Sequence, residues 1–363
     1  MSVAQALPTN SSNKQHTNFT RLPLVDISGL YSPDIRERGE AARRLGVAAR
    51  DSGFCYIVGH RVPPSIIHQA LEQSKLFFSL PLEEKMKVYI GLSKHHKGYV
   101  PEGEEVFSAG SKDRKEAFDL GLDLPSNDPD VVAGTPILGP NVWPELPNFR
   151  EAIGAYYDSI SELGRLLFRG FAQALELPET YFDQFATKPP SQLRLIHYPH
   201  NPEAKDGAGI GAHTDYECFT ILLPTAGGLE VMNGVGEWID APPVEGAFVV
   251  NIGDMLEVWT NGEFVATSHR VRRVQQERYS FAMFCICDYH TVVEPLPPFV
   301  REGHPPRYAA QVAGEHLFAQ TAQSFSYLKK RIASGDLVLP DSARPLSSFG
   351  QEARHGTPAR EKF

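Results

Sequence analysis

Between Ser191 and Leu296 the chain is built from β-branched and aromatic runs separated by turn residues: "QLRLIHYP", "FTILLP", "GLEVM", "EWIDAPP", "AFVVNIGDMLEVWT" and "RYSFAMFCICDYHTVV". This density of short strands constrains the fold more than any other feature. Some eight antiparallel strands in about a hundred residues fit a closed sandwich or jelly roll. Asn233-Gly234, between "LEVM" and "GEWI", predicts one hairpin, and Asn261-Gly262, before "EFVATSHRV", predicts a second.

The remaining segments read as support for that core. "LPLVDISGL" predicts a strand and turn, "PDIRERGEAARRLGVAARDSG" a helix closed by Gly53, "FCYIVGH" a strand, and "PPSIIHQALEQSKLFFSLP" an amphipathic helix started by a proline pair. Residues 91 to 146 have little periodicity and many Gly and Pro, which predicts long loops around short elements such as "KEAFDLGLD". From Pro147 to Leu177 apolar residues recur at helical spacing, giving the longest helix, placed to back a sheet; residues 316 to 332 predict a closing helix. The expected organisation is a polar tail over 1–19, an α/β segment over 20–145, a helix-backed β core over 146–340 and a polar tail over 341–363.

Lys plus Arg number 35 against 44 Asp plus Glu, and no basic run carries interleaved aromatics, so nucleic acid is not an expected partner. No stretch is apolar enough to span a membrane and the first twenty residues lack a signal peptide's apolar centre, so a cytoplasmic protein is expected, monomeric or weakly self-associating. Cys55, Cys218, Cys285 and Cys287 lie inside strand-like runs and read as buried thiols.

The chemistry concentrates in "GAHTDYECFTILLP". In extended backbone residues i and i+2 face one side, so His213 and Asp215 can aim an imidazole and a carboxylate at one point. With 13 His and 44 acidic residues, chance supplies roughly 1.6 such pairs, so the pair alone decides nothing. His269, at the end of "EFVATSHRV", supplies a third donor if the strands return to the same end of a barrel. Two histidines and a carboxylate make the facial triad of non-haem Fe(II) oxygenases; zinc is the competing metal. Arg278 and Ser280 share a strand face, and a guanidinium beside a hydroxyl can hold a carboxylate, such as one end of a dicarboxylic 2-oxo acid.

The segments "PLVDISGL", "GFCYIVGH", "KGYVPEGEE", "KEAFDLG", "LRLIHYP", "GIGAHTDYECFTILL", "GGLEVMN", "VVNIGDMLEVWTNGEFVATSHRV" and "RYSFAMF" resemble, in this order, the isopenicillin N synthase-like branch of the Fe(II)- and 2-oxoglutarate-dependent oxygenases. The resemblance implies a mainly β fold with α, a double-stranded β-helix (jelly-roll) core carrying an α/β N-terminal segment. It places iron ligation on His213, Asp215 and His269, the distal carboxylate of 2-oxoglutarate on Arg278 and Ser280, and a further co-substrate contact on Tyr198. One departure is Ile196, where many plant members have an asparagine that helps bind the oxo acid; Arg194 and His197 are its candidate substitutes. The implied reaction uses O2 and 2-oxoglutarate, releases succinate and CO2, and hydroxylates, desaturates or cyclises a small molecule, with no catalytic residue beyond the metal centre.

Leu222, Val231, Val250, Phe281 and Phe284 are the expected dry wall of the site, and Tyr99, Glu104, Glu105, Phe118 and Phe284 the candidate substrate contacts. An acidic residue facing the iron would favour a cationic substrate group, as in a basic amino acid; "GYVPEGEEV" is similar to a stretch in microbial members that form ethylene while oxidising arginine. Two other readings stay open: a 2-oxoglutarate-independent oxidase of the isopenicillin N synthase type, with Arg278 and Ser280 on a substrate carboxylate, and a non-catalytic jelly-roll binding module.

Overall fold

The computed structural model describes residues 18–105, 115–200, 208–272, 275–340 and 343; nearly all of both expected tails lies outside the described residues. Its centre is a pair of sheets. The larger contains, from edge to edge, β1 (Leu24–Asp26), β2 (Phe54–Val58), β10 (Phe248–Ile252), β7 (Phe219–Pro224), β12 (Arg278–Cys285), β5 (Gln192–Tyr198), β4 (Glu116–Gly121) and β3 (Gly98–Val100). The smaller contains β6 (Ala208–His213), β11 (His269–Arg272), β8 (Leu229–Met232) and β9 (Trp238–Asp240). All pairings in both are antiparallel except β1 with β2. Side chains from both sheets line one cavity between them, as in a jelly roll. The first third of the chain contributes both edges of the large sheet, so it extends the core rather than standing apart from it.

The register sorts the large sheet into two chemically different faces. Cross-strand partners run Ala117–Ile196–Ser280–Pro224 and Asp119–Arg194–Ala282–Leu222, with Arg278 opposite Tyr198 and Asn251 opposite Thr220. These residues face the small sheet, and polar groups recur among them. The alternate residues, among them Phe118, Leu193, Leu195, Ile221, Val250, Phe281 and Met283, form the main apolar core.

Helices cover that apolar face: α1 (Ile35–Asp51), α2 (Pro64–Phe78), the short α3 (Leu82–Met86) and α5 (Phe149–Ala174), while the short α4 (Pro129–Ala133) packs through Val131 on a separate small cluster. Helix α1 starts where Asp34 accepts from the Arg36 N–H, and stops at Gly53, whose φ of 67° suits glycine and whose N–H bonds to Ala48 O. Helix α5 buries Ile153, Tyr156, Ile160, Leu163, Leu167 and Phe171 at three- and four-residue spacing, and Tyr156 meets Phe281 edge-on at 5.4 Å. Each such side chain contributes about 1.5–3 kcal/mol by leaving water. The four cysteines are buried and free. No described helix is long and apolar enough to cross a membrane.

Three expectations are corrected. "AFVVNIGDMLEVWT" is not one strand: β10 ends at Ile252 and α6 (Asp254–Trp259) follows. Gly253 makes that turn because it lies against the chain after Asp215, where an added Cβ would stand 2.3 Å from Glu217 O. Asn261-Gly262, both at positive φ, therefore ends a helix, whereas Asn233-Gly234 does sit in the β8–β9 connection. The closing helix is two helices, α7 (Ala313–Ser324) and α8 (Ser326–Ala333), broken at Phe325, whose backbone is extended and bridges to Glu105.

Candidate metal centre and co-substrate cavity

His213 ends β6 and His269 begins β11, and the two are register partners, so their rings come together with centroids 4.3 Å apart. Asp215 follows two positions after His213. One donor atom from each of the three lies within 4.8 Å of the others. A carbonyl can only accept, so the contacts of His213 Nδ1 with Gly211 O (2.8 Å) and His269 Nδ1 with Thr267 O (3.2 Å) place the proton on Nδ1 of each ring. The Nε2 atoms then face Asp215 Oδ1, at 3.7 and 3.6 Å. Asp215 Oδ2 accepts from Asn251 Nδ2 at 2.7 Å and from Thr220 Oγ1, which turns Oδ1 toward the imidazoles. The chain after Asp215 is itself clamped: the N–H groups of Asp254 and Met255, at the start of α6, bond to Asp215 O and Glu217 O.

Burial, then the neighbouring His269, pushes the His213 imidazole down to about 4, so it is neutral at pH 7. Burial alone would raise the Asp215 carboxyl, but the two imidazoles, Thr220 and Asn251 together hold it below the usual range. A neutral His213 imidazole beside an ionised Asp215 carboxylate is the arrangement that a divalent cation requires.

A cavity of about 480 Å³ runs from this triad to Arg278 and Ser280, and Tyr198, Leu222 and Phe284 also line it. Arg278 is 1% exposed. Its guanidinium lies 4.8 Å from the Tyr198 ring centroid and its Nε donates to Ala226 O, while Nη1 and the Ser280 hydroxyl, both buried, have no partner among the described residues. Burial lowers the Arg278 pKa. A buried guanidinium without a carboxylate is costly unless a ligand supplies one. The residues thus fit a metal ion at one end of the cavity and a carboxylate at the other.

A second cavity, of about 610 Å³, opens on the other side of Phe284 and Ile196, which line both, as do His213 and Asp215. Its wall carries a salt-bridge network. Arg194 Nε and Nη2 donate to Asp119 at 2.8 Å each, Arg194 Nη1 donates to Glu105 at 2.9 Å, and Lys115 reaches Glu105 at 2.9 Å. Burial would lift the Glu105 carboxyl, but Arg194 and Lys115 hold it at about 2. Glu217 lines the same cavity and is only 5% exposed; burial, then Asp215, pushes its carboxyl up to about 8.

Of the five candidate substrate contacts, Glu105 and Phe284 reach this cavity, and Tyr99, Phe118 and Glu104 do not line it. Tyr99 donates to Glu116 Oε2 at 2.6 Å and packs on Phe77, and Phe118 packs between Phe77 and Phe149; both belong to the apolar core. Their strands turn them toward the helices. Glu104 Oε1 accepts from the Tyr327 N–H at the start of α8. Of the expected dry wall, Leu222 and Phe284 line the co-substrate cavity and Val231 packs in a cluster with Leu222, whereas Val250 and Phe281 point to the helices. Neither candidate substitute for an asparagine at 196 serves there: Arg194 is spent on Asp119 and Glu105, and His197 faces away, between Glu116 and Glu277. Thr220, Asn251, Thr214, Lys115 and Glu217 were missed. Glu217 alone carried a signal, its odd-numbered place after His213 and Asp215 in "HTDYE".

A jelly roll with a His-Asp-His cluster at one end of its cavity and an unpaired arginine at the other defines a mononuclear metal enzyme that takes a carboxylate co-substrate. Residues 22–146 match the family described as non-haem dioxygenase in morphine synthesis N-terminal, and residues 189–286 match the 2OG-Fe(II) oxygenase superfamily. The chain is 33% identical to a 2-oxoglutarate-Fe(II) type oxidoreductase of Aspergillus fumigatus, over 85% of this chain and 96% of that protein. It is 35% identical to homoarginine-6-hydroxylase 2-ODD-C23.1 of Arabidopsis thaliana, over 85% and 99%. Among solved structures, a full-length Neurospora crassa protein in complex with alpha-KG and thymine superposes with a TM-score of 0.70 at 27% identity, covering 86% of this chain and 97% of that one. JOX2 in complex with 2OG, Fe and JA gives 0.68 at 26% identity, covering 91% and 94%. The chain belongs to the 2OG-Fe(II) oxygenase superfamily. It is an Fe(II)- and 2-oxoglutarate-dependent dioxygenase that oxidises a small molecule, with O2 as co-substrate.

Proposed function

We propose that His213, Asp215 and His269 hold the iron, that Arg278 and Ser280 hold the distal carboxylate of 2-oxoglutarate with Tyr198 against the guanidinium, and that the primary substrate occupies the cavity bounded by Glu105, Glu217 and Phe284. The observation that carries this reading is the pair of buried, partnerless donors, Arg278 Nη1 and Ser280 Oγ, in the same cavity as the triad. Bound iron would supply O2 activation coupled to decarboxylation of the oxo acid. The chain's part is to orient: Thr220 and Asn251 fix Asp215, the Gly211 and Thr267 carbonyls fix the imidazole tautomers, and Phe284 and Ile196 line the boundary between the co-substrate and substrate spaces. The protein acts in the cytoplasm as a monomer or weak homo-oligomer and has no nucleic-acid partner. Relatives named as homoarginine-6-hydroxylases make L-homoarginine the first substrate to assay.

The test is anaerobic addition of Fe(II), then 2-oxoglutarate, followed by the visible charge-transfer absorption of the chelate, with succinate measured after O2 is admitted. Wild-type protein should show both, and Asp215→Ala neither above a metal-free control. Undiminished absorption and succinate formation in Asp215→Ala would remove Asp215 from the site.

A further inference from the structure

The ionisable groups around the substrate cavity are not all paired. Arg194 and Lys115 are the cations of its wall, and they are matched by Asp119 and Glu105, which accept four hydrogen bonds from Arg194 and make one close contact with Lys115. Asp215 is committed to the metal centre. Glu217 is left over: it is buried, it lines the cavity, and among the described residues no lysine or arginine nitrogen lies within ion-pair distance of it. The backbone N–H groups of Tyr216 and Glu217 itself lie against its carboxyl group, and Arg194 acts on it from beyond ion-pair distance. Beside it, Thr214 is 1% exposed, lines the same cavity, and has a hydroxyl oxygen without a partner. The Glu217 carboxyl group, without a counter-ion, and the unpartnered Thr214 hydroxyl thus face one space near the metal centre, where a cationic ligand would supply the missing partner.

We propose that Glu217, with Thr214 beside it, binds a cationic N–H-rich group of the primary substrate, a guanidinium or an ammonium. The proposal rests on the placement of the substrate in this cavity. Glu105, the glutamate that the "GEEV" segment suggests for a cation, does not serve this role because Arg194 and Lys115 already saturate it. A guanidinium can donate to carboxylate and hydroxyl at once, and an aliphatic chain attached to it would lie against Leu317 and Phe284. The cation would sit close to the iron, so the carbon oxidised would be near the charged end of the substrate.

Calorimetric titration of the Zn(II)- and 2-oxoglutarate-loaded protein tests this with three pairs of probes: L-homoarginine against L-homocitrulline, L-arginine against L-citrulline, and L-lysine against L-norleucine. The cationic member of at least one pair should bind about 10-fold or more tightly than its neutral counterpart, the size of one charge-assisted hydrogen bond. Glu217→Gln should erase that preference while leaving 2-oxoglutarate affinity unchanged, and Thr214→Val should reduce affinity for the cation about 3-fold or more. No cationic preference in any pair, or a preference that survives Glu217→Gln, overturns the proposal. Failure of the iron and 2-oxoglutarate assignment would show separately, as absent charge-transfer absorption in the wild-type protein.

Discussion

Two arginines face the space between the sheets from adjacent strands, and their surroundings are opposite. Arg194 on β5 donates to both oxygens of Asp119, its register partner on β4, and to Glu105 from the neighbouring loop. Arg278 on β12 has a carbonyl, an aromatic face and a nitrogen with no partner. The carboxylates raise the pKa of Arg194 against the effect of burial, whereas burial lowers that of Arg278. A guanidinium whose hydrogen bonds close within the protein holds elements together, here β4, β5 and the loop at Glu105. One whose bonds remain open is arranged for a ligand. The same residue type at the same depth thus divides into structure and function according to what sits on the next strand.

Breaking the first arginine has the larger effect. Arg194→Met leaves Asp119 buried without its counter-charge and Glu105 with Lys115 alone, and removing one partner of such a pair costs about 3–5 kcal/mol. Chemical denaturation should show that loss, while the folded fraction retains wild-type affinity for 2-oxoglutarate. Arg278→Met should do the reverse. The ligand-free protein should be as stable as wild type or more so, because an unpaired buried charge is removed. Affinity for 2-oxoglutarate should fall by about 2–3 kcal/mol, or roughly 30- to 200-fold, as expected for one side of a buried charge pair. If both substitutions move stability and affinity together, the distinction between the two arginines fails.

Only part of this contrast is legible in the sequence. Arg278 and Ser280 are two apart on one strand, as His213 and Asp215 are in extended backbone, so alternation alone puts each pair on one side. The same parity places Phe281 on the opposite face, in the apolar core and not in the cavity wall. What alternation cannot supply is the neighbour across the ladder. Asp119 meets Arg194 because of the β4–β5 register, and Asn251 lies opposite Thr220 because of the β10–β7 register, and no local pattern encodes either. Tyr99 and Phe118 fall under the same limit: their strands form an edge whose orientation is fixed by pairing with β5, which turns both rings to the core. The break at Phe325 lacks even a glycine or proline to mark it; its extended backbone bridges instead to Glu105, a residue more than two hundred positions earlier. The nearby sequence contains neither half of that contact's cause.

The smallest effect sharpens the contrast most, because it separates a ligand's hydrogen bond from the charge beside it. Ser280 is opposite Ile196 and two residues from Arg278, its hydroxyl is buried, and among the described residues no atom accepts from or donates to it. In the ligand-free protein its removal therefore breaks no hydrogen bond, and Ser280→Ala should leave thermal stability unchanged or slightly raised, since a buried hydroxyl without a partner is itself unfavourable. With 2-oxoglutarate bound, the hydroxyl would donate to a charged carboxylate. Its loss should weaken affinity by about 1.5 kcal/mol, or roughly 10-fold, with the charge of Arg278 still in place. Conversion of 2-oxoglutarate at saturating concentration should be little changed, because this contact lies at the end of the co-substrate remote from the metal. A rise in the Michaelis constant for 2-oxoglutarate with an unaltered maximal rate is the expected pattern. A fall in maximal rate with unchanged affinity would place Ser280 at the reacting end instead, and the cavity would have to be read in the opposite direction.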